Sequence, residues 1–78
     1  MDTHEIDATG LLCPLPVLRL LKALRAAAPG TRVTLLADDP AARVDVPHAC
    51  GEQNWVLLSQ SDGPPWRFVV EKPSEPTA

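Results

Sequence analysis

Cysteine is scarce in this chain, and its pattern excludes more than its number. Only two cysteines occur in 78 residues, Cys13 and Cys50, and no Cys-x-x-Cys pair is present. That argues against thioredoxin-like redox chemistry and allows one disulfide at most. Long apolar runs are also missing. The longest, around Leu11 to Leu24, is broken by Pro14, Pro16, Arg19 and Lys22, well short of the roughly 20 apolar residues that cross a bilayer. The polar, acidic start predicts no secretory leader. No Gly-rich phosphate loop and no Ser-His-Asp arrangement stands out. The length predicts one domain with a core of marginal size. These absences together predict a soluble, cytoplasmic protein, monomeric by default, whose cysteines are free thiols in a reducing compartment.

Acidic residues are missing from one long stretch. Between Ala8 and Ala37 there is none, although the chain carries ten acids and a net charge of −3. The same stretch holds four bases: Arg19, Lys22, Arg25 and Arg32. One basic element on an otherwise acidic body has two readings. It is a solvated helix face, or it is a docking surface for an acidic protein partner. Four bases with no aromatic interleaved make a thin footprint for nucleic acid, so no direct nucleic-acid contact is expected.

What remains is well patterned. His4 to Ala8 reads as a first strand around Ile6, closed by Gly10. Pro14 to Ala28 reads as a helix, with Pro14, Val17, Leu18, Leu21, Leu24 and Ala28 forming an apolar stripe. Arg19, Lys22 and Arg25 take its polar side. Pro14 suits the first helical position, which makes Cys13 the N-cap. Pro29-Gly30 ends the helix. Thr31 to Ala37 reads as a strand with Val33, Leu35 and Ala37 on one face. A strand, helix and strand within about 35 residues predict a parallel pair with a right-handed crossover.

Ala41 to Asn54 reads as a second helix, interrupted and restarted at Pro47, with Val46 or Asp45 at the cap. Trp55 to Gln60 and Pro65 to Glu71 read as strands joined by the turn Ser61-Asp62-Gly63-Pro64. Trp66, Phe68 and Val70 share a face of the last one. The order β-α-β-α-β-β predicts an α/β (α+β) two-layer sandwich, with a mixed four-stranded sheet and two helices on one face. Residues 1–72 form the expected domain and residues 73–78 a disordered tail.

Cys13 is the candidate for chemistry. Cysteine is not a favoured cap, so its place at a helix start suggests another use. Helix N-termini favour a thiolate, and Pro14 and Pro16 stiffen the turn that aims it. The pull on an exposed thiol is modest. Arg19 and Lys22 lie about 9 and 13 Å along the axis, beyond a Debye length of about 8 Å. A mildly activated thiol is therefore expected, suited to attacking and later leaving. The opposing reading is a buried, inert cysteine.

Cys50 falls on the apolar side of the second helix with Val46 and Ala49. Core packing is its expected role, with a redox pair to Cys13 as the alternative. His4, Cys13, His48 and Cys50 are four potential metal ligands, but only His48 and Cys50 are close in sequence. No metal or other cofactor is expected. Asp38, Asp39 and Asp45 could be paired carboxylates, although a strand-end turn and a helix cap explain them as well. Trp55 and Trp66 are expected in the core or on the sheet.

Several of these pieces occur in an order that resembles the TusA/SirA family of small sulfur carriers. They are Asp7-Ala8-x-Gly10-Leu11-x-Cys13-Pro14-x-Pro16, then Pro29-Gly30, then Ala37-Asp38-Asp39-Pro40-Ala41. Asp45-Val46-Pro47 with Cys50, and Asp62-Gly63, complete the set. The resemblance spans about residues 5 to 72. It implies a β-α-β-α-β-β sandwich in which Cys13 of the Cys-Pro-x-Pro motif accepts sulfane sulfur as a persulfide. Gly10, Pro14 and Pro16 would support that motif. The implied donors are cysteine desulfurases or rhodanese-type sulfurtransferases. The implied acceptor proteins serve tRNA thiolation, molybdenum-cofactor assembly or sulfur oxidation. Arg19, Lys22 and Arg25 would then dock the partner. A regulatory or interaction module, in which Cys13 only shapes the helix start, is the competing function.

Overall fold

A computed structural model describes residues 3–74. Four strands and two helices follow in the order β1 (Thr3–Asp7), α1 (Leu15–Ala26), β2 (Arg32–Ala37), α2 (Ala42–Gln53), β3 (Val56–Gln60) and β4 (Trp66–Glu71). The strands form one sheet in the order β1-β2-β4-β3. β1 runs parallel to β2, with Ile6 opposite Leu35, and β4 runs antiparallel to both β2 and β3. The expected mixed four-stranded sheet is therefore present. Of the expected tail, residues 75–78 lie outside the described residues.

Alternation decides which sheet face is covered. Val33, Leu35 and Ala37 of β2 and Trp66, Phe68 and Val70 of β4 all point into the core. Leu20 and Leu24 of α1 and Val46 and Cys50 of α2 pack against that same set. Both helices consequently lie on one face, giving the two-layer α+β sandwich. Fully burying a side chain such as Phe68, Leu20 or Leu24 stabilises the fold by about 1.5–3 kcal/mol.

The phase and start of α1 differ from expectation. Its buried residues are Pro16, Leu20 and Leu24, while Leu18 is half exposed. Val17 and Leu21 are only partly buried, and Ala28 lies beyond the helix. From Leu15 to Leu21 nearly every residue is apolar, so periodicity there leaves the buried face undetermined. Contact with the sheet decides it. Pro14, not Cys13, is the N-cap, and Pro16 occupies the first turn. The helix ends at Ala26, with Ala27 already extended.

The second helix also departs from expectation. α2 is continuous from Ala42 to Gln53 with Pro47 inside it. Proline removes one backbone bond and bends a helix. Here Val46, Ala49 and Cys50 are buried on both sides of it in sequence, and their packing outweighs the local break. Neither Val46 nor Asp45 caps the helix. The Ala41 N–H donates to the Asp39 carboxylate at 3.0 Å instead. Asn54 closes the helix in the left-handed conformation, its N–H bonded to the Cys50 carbonyl.

Candidate functional site

The parallel pairing of β1 and β2 brings the loops that follow them to the same end of the sheet. One loop carries Cys13, the other Asp38 and Asp39. Ala8 donates its N–H to the Leu36 carbonyl at 2.8 Å, which ties the start of the first loop to β2. Gly10 then turns the chain at φ 82, a region that disfavours side chains. Its N–H donates to Asp38 Oδ1 at 3.0 Å. The Cys13 N–H donates to Asp39 Oδ2 at 2.6 Å. The loop is thus pinned at two backbone positions before the helix begins. The Cys13–Pro14 peptide bond is cis.

Cys13 is exposed and free. Its Sγ donates to Asp45 Oδ2 on α2 at 2.6 Å. This contact reverses the expected acidity. The hydrogen bond to Asp45 is the main cause that pushes the Cys13 thiol above its ordinary value of 9.0, followed by partial desolvation and the charges of Asp45 and Asp39. Two backbone positions at the helix start have no N–H free to offset it. The Leu15 N–H is already bonded to the Leu12 carbonyl, and Pro16 has no N–H to offer. The bases of α1 lie too far along the helix to help an exposed thiol. Asp39 moves the other way: two backbone N–H groups, from Cys13 and Ala41, hold its carboxyl below the ordinary value of 3.8.

Beside the thiol lies a groove of about 270 Å³ between the helices. Pro14, Val17 and Leu21 form its α1 wall, and Asp45, His48 and Glu52 line it from α2. Leu12, Leu15, Leu18 and Val44 are exposed large apolar side chains. Each lies within five residues of Cys13 or next to Asp45 in sequence. Exposed apolar side chains are a composition that partner interfaces favour.

The other side of α1 has opposite character. A groove of about 590 Å³ is lined by Ile6 of β1 and by Arg19, Lys22, Ala23 and Ala26 of α1. Among the described residues, the salt bridges are Arg32–Glu71, His48–Glu52 and Arg67–Glu5, so Arg19 and Lys22 have no acidic partner there. Arg25 does not join them. It is exposed in the last turn, where a cation complements the negative end of the helix. Of the three bases expected to dock a partner, Arg19 and Lys22 line this groove and Arg25 does not.

Cys50 is buried in the core at 3% exposure and lines neither groove. Burial pushes its thiol up as well. Trp66 is buried, with the Arg43 guanidinium over its ring at 5.7 Å, and Trp55 packs partly against the core. Among the described residues no three His, Cys, Asp or Glu side chains converge as a metal site, and no helix is long and apolar enough to cross a membrane.

From the sequence, Asp39 and Asp45 could be paired carboxylates or turn and cap residues. They touch Cys13 across 26 and 32 residues of chain. One available signal was the Asp38-Asp39 pair at the end of a strand parallel to β1, because parallel strands end side by side.

Two comparisons bear on this geometry. The family described as sulfurtransferase TusA matches residues 4–72. The crystal structure of a SirA-like protein from Desulfitobacterium hafniense superimposes with a TM-score of 0.74 at 27% identity, covering 92% of this chain and 99% of that one. With the match running from the first strand to the end of the last, this chain belongs to the TusA sulfurtransferase family of sulfur carriers.

Proposed function

We propose that this protein accepts sulfane sulfur on Cys13 as a persulfide and relays it to an acceptor protein. The observation that carries the reading is the presentation of Cys13: an exposed sulfur on a loop pinned by Asp38 and Asp39, opening on the groove between the helices. Cys13 attacks the outer sulfur of a donor persulfide, R–S–SH. A new S–S bond forms, the donor's S–S bond breaks, and the Cys13 proton ends on the departing donor sulfur. The products are Cys13–S–SH and R–SH, with no net oxidant or reductant consumed. An acceptor thiol repeats the exchange and returns Cys13 to the thiol.

A cysteine desulfurase or rhodanese-type protein is the proposed donor, and the acceptor belongs to tRNA thiolation, molybdenum-cofactor assembly or sulfur oxidation. The proposed setting is the cytoplasm, with the carrier working as a monomer. Arg19 and Lys22 supply positive charge beside Ile6 for an acidic donor or acceptor surface, with Arg25 at the edge of that field. The test is incubation with a cysteine desulfurase and cysteine, read by intact-protein mass spectrometry. The wild type and Cys50→Ala should gain one sulfur, and Cys13→Ser none. An adduct that survives in Cys13→Ser overturns the reading.

A further inference from the structure

Asp45 has a role that neither its place in the helix nor the sulfur relay requires. It caps nothing, because Asp39 bonds the Ala41 N–H at the start of α2. Its carboxylate instead accepts the Cys13 S–H at 2.6 Å. We propose that Asp45 is a guard on the empty carrier: it holds Cys13 as the protonated thiol, so that the free protein reacts slowly with stray electrophiles and oxidants until a partner is docked.

The argument starts from which form of the sulfur the site favours. A carboxylate can only accept a hydrogen bond. It therefore stabilises S–H and repels S⁻, and only the thiolate is a strong nucleophile. The charges facing Cys13 are nearly all of one sign. Asp39 approaches from the β2–α2 loop, and Asp45 and Glu52 line the groove from α2 together with His48. Glu52 and His48 are paired with each other at 3.4 Å. On the α1 side, the groove is lined by Pro14, Val17 and Leu21, none of which titrates. Arg19 and Lys22 line the groove beside β1 instead. Among the described residues no lysine or arginine lines the groove with Cys13, so a partner is the source of that charge.

Loading changes the contact. In Cys13–S–SH the inner sulfur carries no hydrogen, so the bond that Cys13 Sγ donates to Asp45 exists only in the empty carrier. A partner that sets a lysine or arginine against Asp45 cancels the carboxylate's charge and frees the thiolate at the moment of attack. The proton that Sγ gives up ends on the departing donor sulfur, as in the exchange written above.

The inference rests on Cys13 being the reacting atom of the relay, but its test does not use sulfur transfer. The full chain is treated with iodoacetamide from neutral to alkaline pH, and alkylation of the Cys13 peptide is followed by mass spectrometry. In the wild type, the midpoint of the pH–rate curve should lie above 9.0, the ordinary cysteine value. Asp45→Asn and Asp45→Ala should alkylate Cys13 several-fold faster at neutral pH and lower the midpoint. Asp45→Glu should restore slow alkylation, and Glu52→Gln should change it little. Cys50 reports on folding, since it stays unlabelled while the core is intact.

A wild-type midpoint at or below 9.0, or folded Asn and Ala variants that react at the wild-type rate or slower, overturns the guard. If the variants unfold, the wild-type midpoint alone decides. If the guard holds while desulfurase loading fails, the carrier reading falls and the guard stands. The converse result removes only the guard.

Discussion

The two cysteines lie in one small sandwich and experience opposite surroundings. Cys50 is buried among Val46, Leu24 and Phe68 in the core cluster, and its thiol is pushed up by desolvation. Cys13 is exposed, and its thiol is pushed up chiefly by a hydrogen bond to Asp45. The direction is the same and the cause is different. Desolvation is removed only by opening the fold, whereas a carboxylate at the surface is neutralised by a cation from outside. Only the second kind of suppression can be lifted on docking. Acidity alone therefore does not separate a buried thiol from one open to a partner. Access and the nature of the suppressing group do.

The contrast can be broken most violently at the buried site. Cys50→Asp should place an unpaired carboxylate in the core at a cost of about 3–5 kcal/mol, a large part of the total for a domain of this kind. Chemical denaturation should show a collapse of the midpoint, whereas Cys13→Asp at the exposed site should fold. Wild-type stability in Cys50→Asp would mean that the side chain escapes to solvent and that the core is assigned wrongly.

The proposed docking surface is tested by reversing its charge. The double substitution of Arg19 and Lys22 to Glu should slow desulfurase loading by roughly tenfold at low ionic strength, with a smaller deficit at high salt. The loss should fall on the association step, visible as a raised KM with kcat nearly unchanged. Arg25→Glu alone should do less, because Arg25 does not line the groove with the other two. Equal effects from both would mean that the three bases act as one face, as the sequence suggests.

Smaller effects probe the loop that holds Cys13. Gly10→Ala should cost about 1–2 kcal/mol, from backbone strain alone, since a Cβ at Gly10 meets open space. Asp39 should contribute to acid sensitivity. Its folded value is depressed, so its stabilisation is full above the ordinary carboxylate value of 3.8 and is lost as pH falls below that toward the folded value. Asp39→Asn should be less stable at neutral pH and should lose less on acidification. The two thiols act at the other end: both are raised, so their stabilising contribution is present below 9.0 and declines above it.

How much of this was legible in the sequence depends on range. The strands were readable because period-two alternation at Val33, Leu35 and Ala37 has one solution. The face of α1 was not, because Leu15 to Leu21 offers apolar residues at nearly every angle. The continuous α2 was hidden by Pro47, a local break outweighed by the burial of Val46 and Cys50. Cys13 was singled out by its place before Pro14. Its acidity was misjudged because the helix start is written locally, whereas the dominant group, Asp45, arrives from the second helix. Likewise Asp39 looked like a turn residue, which it is, while also holding the Cys13 backbone. Contacts between distant segments, not propensities, made the difference at the site.

One measurement goes most directly to the claim that Cys13 bears the sulfur. Wild-type protein, loaded by a cysteine desulfurase and cysteine, is trapped by alkylation, digested and sequenced by tandem mass spectrometry. The added sulfur should map to the peptide containing Cys13, with Cys50 unmodified. Sulfur on Cys50, or a loaded protein whose Cys13 peptide carries none, contradicts the account.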